Sequence, residues 1–205
     1  MVEVLCHNSI KITENVIVYV DPFKINKEYH DADYVFFTHS HYDHFSPEDI
    51  EKVKKESTVF IVTEDLKQKA EDLYGKENIL VVKPNEDYHV SDFDFKTTYA
   101  YNVNKAFHPK ENKWVGYLIQ INNKTYYIAG DTDNIEEIQD IECDEAFIPI
   151  GGTYTMNYKE AAELANVIKA KVVIPTHYGS IVGDKEDAIK FKELVEGKEV
   201  KILMK

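Results

Sequence analysis

Thr38-His39-Ser40-His41-Tyr42-Asp43-His44 sets three imidazoles and one carboxylate within six consecutive positions, His39 to His44. The run before it, Tyr34-Val35-Phe36-Phe37, is short and apolar, the pattern of a buried strand. After it, Ser46-Pro47-Glu48-Asp49 has the composition of a helix start: a hydroxyl N-cap, proline in the first turn, and acids near the positive end of the helix dipole. The four polar residues therefore belong to a loop at the C-terminal end of a strand, held by rigid elements on both sides. Groups that must converge on a cation need such a mounting.

Four such groups crowded together are costly, through desolvation and competing protonation, unless something compensates them. Neutral imidazole and carboxylate are preferred ligands of zinc and similar divalent ions. A dinuclear centre accounts for the crowding. In extended chain, residues two apart point the same way, so His39 and His41 can share one ion. The turn that follows directs Asp43 and His44 to a second. The competing reading is a chance histidine cluster on a solvated loop.

His39-x-His41-x-Asp43-His44 resembles the motif of the metallo-β-lactamase superfamily. The resemblance implies that His39 and His41 bind one metal, that Asp43 and His44 bind a second, that a later Asp bridges both, and that a late His completes the second site. Residues 114–121 and 124–129 read as a hairpin across Asn122-Asn123, where Asn tolerates positive φ. That hairpin delivers Gly130-Asp131-Thr132, and Asp131 is the expected bridging carboxylate. Lys171-Val172-Val173-Ile174-Pro175 is a buried strand ending in Thr176-His177-Tyr178-Gly179, and His177 matches the family's last ligand.

The third ligand of the first metal is a His at a strand end in most members, and the nearest matching position here is Asn102. Two readings stay open: His108 reaches in from the following loop, or the first metal has only two imidazoles. Asn is a poor zinc ligand, so Asn102 is expected to hydrogen-bond substrate or water. His7 is expected to be a hydrogen-bonded structural histidine. Asp21 either holds a metal-binding histidine by its second nitrogen or caps a turn. Gly151-Gly152 allow close backbone approach at a pocket rim, which makes Thr153 and Tyr154 substrate-side candidates, with Tyr178 nearby.

The remaining chain alternates strands and helices. Strands fill residues 1–20, 58–62, 79–82, 93–101, 146–150 and 200–202; helices are expected from Pro47 to about Lys55, from Thr63 to Gly75, after Asn157, and from Asp184 to Gly197, with a brief one after Asp133. Asn157-Tyr158-Lys159-Glu160 resembles a capping box, and Ala161, Leu164, Ala165 and Ile168 repeat at helical spacing. Two βαβ-like halves fit the superfamily's four-layer αββα sandwich. The combination of His7-Asn8-Ser9, Asp21-Pro22, Gly130-Asp131-Thr132 and Pro175-x-His177-Tyr178 is most similar to the small hydrolases of the ascorbate-6-phosphate lactonase branch.

Hydrophobic residues make up 43% of the 205 and aromatic residues 12%, enough for a substantial core. No low-complexity linker divides the chain, so one domain over residues 1–205 is expected. Lys plus Arg number 24 against 37 Asp plus Glu, a net charge of -13. That field repels phosphate backbones and anionic membrane, so neither nucleic acid nor membrane is an expected partner. A small-molecule substrate is, because two bound dications offset the field locally. Cys6 and Cys143 make neither a disulfide framework nor a thiolate zinc site. Met1-Val2-Glu3-Val4-Leu5 lacks the basic lead-in of a signal peptide, and a cytoplasmic location is expected.

The expected function is metal-dependent hydrolysis of an ester, lactone, amide or phosphoester by a hydroxide bridging two zinc-type ions, manganese or iron being acceptable to the same ligands. Asp43 is the expected catalytic residue, binding metal while orienting the nucleophile or passing a proton. The alternatives are a ligand sensor or scaffold without turnover, and a di-iron redox protein. Against the last, His41 stands where such relatives carry Glu.

Overall fold

In the computed structural model, which describes residues 1–204, the strand ahead of the histidine loop sorts its side chains by alternation. Tyr34 and Phe36 enter an apolar layer between two sheets, while Val35 and Phe37 enter a layer beneath helices. Both faces are buried, so the strand reads in sequence as a continuous apolar run.

The first sheet holds β1 (Val2–Cys6), β2 (Ser9–Thr13), β3 (Ile17–Val20), β4 (Ala32–Phe36), β5 (Lys54–Thr63) and β6 (Ile79–Val82), in chain order. Its first three strands pair antiparallel and β3 to β6 run parallel. The second holds β7 (Asp87–Val90), β8 (Phe93–Tyr99), β9 (Val115–Ile121), β10 (Lys124–Ile128), β11 (Glu142–Pro149), β12 (Lys169–Thr176) and β13 (Glu199–Val200), again as consecutive neighbours. Here β7 to β10 are antiparallel and β10 to β13 parallel.

Helices α1 (Pro47–Val53) and α2 (Lys67–Tyr74) cover the outer face of the first sheet with Ile50, Val53 and Ala70. Helices α3 (Tyr158–Val167) and α4 (Lys185–Leu194) cover the second with Ala161, Leu164, Ala188 and Phe191. Between the sheets, Phe36 meets Phe95 and Tyr117 at ring-centroid distances of 5.1 and 5.0 Å, both edge to face. The four layers are the anticipated αββα sandwich.

Local chemistry explains most boundaries. Asn122 and Asn123 adopt φ of 50° and 59°, the left-handed pair a two-residue hairpin requires. The Asn157 side chain accepts from the amides of Lys159 and Glu160 while Glu160 returns a bond to Asn157 N, a complete capping box. Several expectations shift. The first helix ends at Val53 rather than Lys55, because Lys54 is already extended and begins β5. Thr63 opens a 3-10 turn over Glu64–Leu66, and α2 follows it. The brief helix after Asp133 is a 3-10 turn at Glu136–Ile138. Ser46 occupies the N-cap of α1, yet its hydroxyl donates to Asp49 Oδ2 at 2.8 Å rather than accepting from the helix. The closing strand stops at Val200, short of Ile202. Among the described residues no helix is long and apolar enough to cross a membrane.

Phe36, on the first sheet, lies in the inter-sheet layer, fully buried against three aromatic rings of the second, Phe93, Phe95 and Tyr117. Phe36→Ala is expected to cost about 3–5 kcal/mol of unfolding free energy in urea melts, the range for an aromatic-to-alanine cavity. A loss below about 1 kcal/mol would show that the two sheets do not pack through this ring.

Candidate metal centre

Five strands release their chains at the same edge of the sandwich. β1 ends just before His7, β3 before Asp21, β4 before Thr38 and His39, β10 before Asp131, and β12 before His177. The side chains that meet there come from both sheets.

The histidine loop closes on itself, with His44 N and Phe45 N both donating to His41 O, at 3.0 and 2.8 Å. Asp21 anchors it from beneath. Its carboxylate accepts from Thr38 N at 2.8 Å, Thr38 Oγ1 at 2.7 Å, Asn8 Nδ2 at 2.8 Å and His44 Nδ1 at 2.7 Å. A carboxylate can only accept, so His44 carries its proton on Nδ1 and leaves Nε2 facing the site. Of the two roles open for Asp21, it fills the histidine-holding one, at a chain reversal with φ of 46°.

His7 and His177 are also left-handed, at φ 55° and 58°. Such non-glycine conformations cost on the order of 1–3 kcal/mol each and collect at functional sites. They let the two rings lie 3.6 Å apart by centroid, with His177 N donating to His7 O at 2.9 Å. Gly151 is required here: a Cβ on it would stand 2.3 Å from His177 O and 3.1 Å from His177 Nδ1.

The ligand-type atoms gather into groups within 4.8 Å: His39, His41 and His108; His7, Asp43, His44 and His177; and His39, His44 and Asp131. Asp131 joins them, its oxygens lying 3.2 Å from His108 Nε2, 3.0 Å from His177 Nε2, 3.5 Å from His44 Nε2 and 3.9 Å from His39 Nε2. His39 Nε2 and His41 Nδ1 are 2.9 Å apart. Two ligands of one tetrahedral zinc, each about 2.0–2.1 Å from the ion, lie about 3.3 Å from one another. The observed separations bracket that value.

The donor atoms also lack other employment. His44 Nε2, His108 Nε2, both ring nitrogens of His177 and Asp131 Oδ1 are buried without a hydrogen-bond partner. Leaving so many polar atoms unpaired costs on the order of 1–3 kcal/mol apiece. A divalent ion would satisfy the three Nε2 atoms and Asp131 Oδ1, though not His177 Nδ1 on the far side of its ring, so the residues fit a metal.

Charge states agree. Burial drives the His39 imidazole well below its usual pKa and lowers that of His41, keeping both neutral at pH 7. Burial opposes ionisation of Asp131, but His177 and His44 outweigh it and hold the carboxyl well below the usual range. Burial also raises Asp43, yet its hydrogen bond from His7 and the charge of His44 bring it down to about 2. For His44 burial acts downward, but Asp131, Asp21 and Asp43 carry it up to about 9. A dication bound at Nε2 replaces that proton, so metal binding and proton release are linked.

Among the sequence candidates, His39, His41, Asp43, His44, His108, Asp131 and His177 come together. His108 joins His39 and His41, and Asn102 stands behind it rather than toward substrate. Asn102 Oδ1 accepts from His108 N and Nδ1, both at 3.0 Å, while Nδ2 donates to Asp133 Oδ1 at 3.2 Å and Tyr154 O at 3.0 Å. Its amide is consumed in aiming an imidazole. Tyr154 lines the cavity at the metal edge, as do Asp43, His108 and Asp131. Thr153 is exposed and lies outside that lining. Tyr178 is buried in the apolar layer under α3 and α4, because the left-handed turn at His177 sends the next side chain away from the edge. His7, expected to be structural, is hydrogen-bonded to Asp43 Oδ2 at 3.1 Å but stands inside the ligand cluster. Trp114 was not anticipated: it packs on His39, His41 and His108 at 4.9, 4.9 and 5.5 Å by ring centroid, and Asp65 accepts its N–H.

A family model described as a beta-lactamase superfamily domain matches residues 2–177. A UPF0173 metal-dependent hydrolase of Ligilactobacillus salivarius is 33% identical, across 85% of this chain and 82% of its own. One from Nanoarchaeum equitans is 31% identical, across 97% and 93%. Among solved structures, a protein of Parabacteroides distasonis titled a metal-dependent hydrolase superposes with a TM-score of 0.82 at 28% identity, covering 98% of this chain and 91% of that one.

Partners that orient a metal-binding histidine typically contribute 10–100-fold in metal affinity. Asn102→Ala is therefore expected to weaken zinc binding by about 10–100-fold in a chelator competition, with the far-UV circular dichroism unchanged. Undiminished affinity would remove His108 from the ligand set.

Proposed function

The chain belongs to the beta-lactamase superfamily of metal-dependent hydrolases, and on that premise we propose that it cleaves a small substrate at a pair of zinc-type divalent ions. His39, His41 and His108 would hold one ion and Asp43, His44 and His177 the other, with Asp131 within reach of both groups. The observation that carries this reading is the position of Asp131. Its one buried carboxylate lies 3.2 Å from a nitrogen of the first group and 3.0 Å from a nitrogen of the second.

Ions held there supply Lewis acidity, lowering the pKa of water from 15.7 to about 7 and polarising an acyl or phosphoryl oxygen. The chain's own residues do the rest. Asp43 reaches the cavity and stays ionised at neutral pH, so it can orient the attacking water by accepting a hydrogen bond from it. His7 donates to Asp43 and fixes the carboxylate's direction. Trp114 and Asn102 hold the first three imidazoles in place. The alternative of a binding scaffold leans on the uncertain third histidine of the first metal, and the grouping of His108 with His39 and His41 favours the hydrolase reading over it.

The test is hydrolysis of ester, lactone and phosphoester probes by purified protein before and after metal stripping. Activity is expected to vanish with the metal and return with zinc or manganese. Asp131→Asn is expected to lower both metal content and turnover, the latter by about 10²-fold or more, as when a charge-stabilising group is lost from an active site. Turnover that survives complete metal removal contradicts the proposal.

A further inference from the structure

The walls of the metal-edge cavity differ in kind from its floor. The floor is ionisable: His41, Asp43, His108 and Asp131. The walls are Tyr42, Phe107, Tyr154 and Ile181, three aromatic rings and a branched aliphatic chain. Phe107 and Tyr154 meet edge to face at 4.7 Å, and Tyr42 leans on Phe23 at 6.0 Å, so the rings are braced. Yet Tyr42 is 69% and Phe107 46% exposed, and no other Phe, Tyr or Trp side chain among the described residues is exposed. Exposed large apolar side chains gathered at a cavity mark a binding surface.

Charge narrows the occupant. No lysine lines the cavity, and the sequence contains no arginine. Of the nearby lysines, Lys105 Nζ pairs with Asp133 at 2.6 Å and Lys24 Nζ bonds Ser180 at 2.9 Å. A carboxylate or phosphate tail would find no partner on these walls, and a cationic tail would face the dications on the floor. Size narrows it further. The cavity measures about 230 Å³, below the ~300 Å³ at which pockets for drug-sized ligands begin. A larger depression of about 540 Å³ lies on the second sheet against Tyr88, Phe95 and Leu118, but no unpartnered buried polar atom faces it.

We infer that Tyr42, Phe107, Tyr154 and Ile181 form a subsite for an uncharged aromatic or branched aliphatic group, so that the substrate is a small neutral acyl compound. This assignment rests on the hydrolase reading for the bond that is cleaved, and on the cavity walls for the group that is recognised. Cleavage of such an ester adds water across the acyl carbon–oxygen bond, giving the carboxylate, the alcohol and a proton.

Two measurements test it. With zinc-loaded protein, para-nitrophenyl phenylacetate is expected to show kcat/KM about ten-fold or more above the acetate, and above the esters with succinate or trimethylammonioacetate tails. Phe107→Ala and Tyr42→Ala, both at exposed positions, are expected to raise KM for the phenylacetate while leaving kcat in place. Preference for a charged tail, or an unchanged KM in both variants, overturns the assignment. Separately, saturation-transfer NMR on metal-free protein is expected to show phenylacetamide bound, and the signal lost in Phe107→Ala. If no ester is turned over while that binding persists and depends on Phe107, the hydrolase reading falls and the subsite stands. Absent or Phe107-independent binding overturns the subsite, whatever turnover shows.

Discussion

A buried carboxylate among imidazoles governs this molecule. Asp131 sits within 4 Å of four histidines from both sheets and the loops after them, with one oxygen making no hydrogen bond. Such a cluster is costly in a low-dielectric interior unless a cation compensates it. The metal-binding chemistry and the folding energetics of this edge are therefore one problem. His39 and His41 held neutral by burial, Asp131 and Asp43 held ionised by neighbouring histidines, and nitrogens without partners describe a site arranged around positive charge supplied from outside the chain.

The sandwich meets that constraint by geometry. Parallel strands β3, β4, β10 and β12 end at one edge, so successive loops can each contribute a group to the same small volume. The price in backbone strain falls on His7, Asp21 and His177, which adopt left-handed conformations that residues with a Cβ rarely take. Packing between the sheets and under the helices holds them there. Behind the ligands stands a layer with no metal contact of its own: Asp21 under His44, Asn102 and Asp133 behind His108, and Trp114 against three rings.

What could be read from sequence follows how local each signal is. The strand, histidine loop and helix start at residues 34–49 are contiguous, and their spacing alone places His39, His41, Asp43 and His44 together on one strand-end loop. Asp131 and His177 are distant in sequence but end strongly patterned strands, so resemblance to a known family could place them. His108 was ambiguous, because its position depends on a loop that Asn102 folds back with three bonds to His108, two from the side chain and one from the backbone. Nothing in the spacing of those residues shows which one faces the metal. His7 is hydrogen-bonded, as expected, but its place inside the cluster is not legible in the spacing, because its direction is set by a left-handed φ and by pairing with residue 177. Tyr178 shows the converse. Adjacency to His177 suggested the site, and the same backbone reversal buries it under α3 and α4.

The account depends on two cations sharing Asp131. Anomalous scattering from a crystal of untreated protein, collected at the zinc, iron and manganese edges, tests this directly. Two peaks are predicted, one among His39, His41 and His108 and one among Asp43, His44 and His177, each within coordinating distance of a different oxygen of Asp131 or of a shared one. A single peak, or peaks out of reach of Asp131, would contradict it.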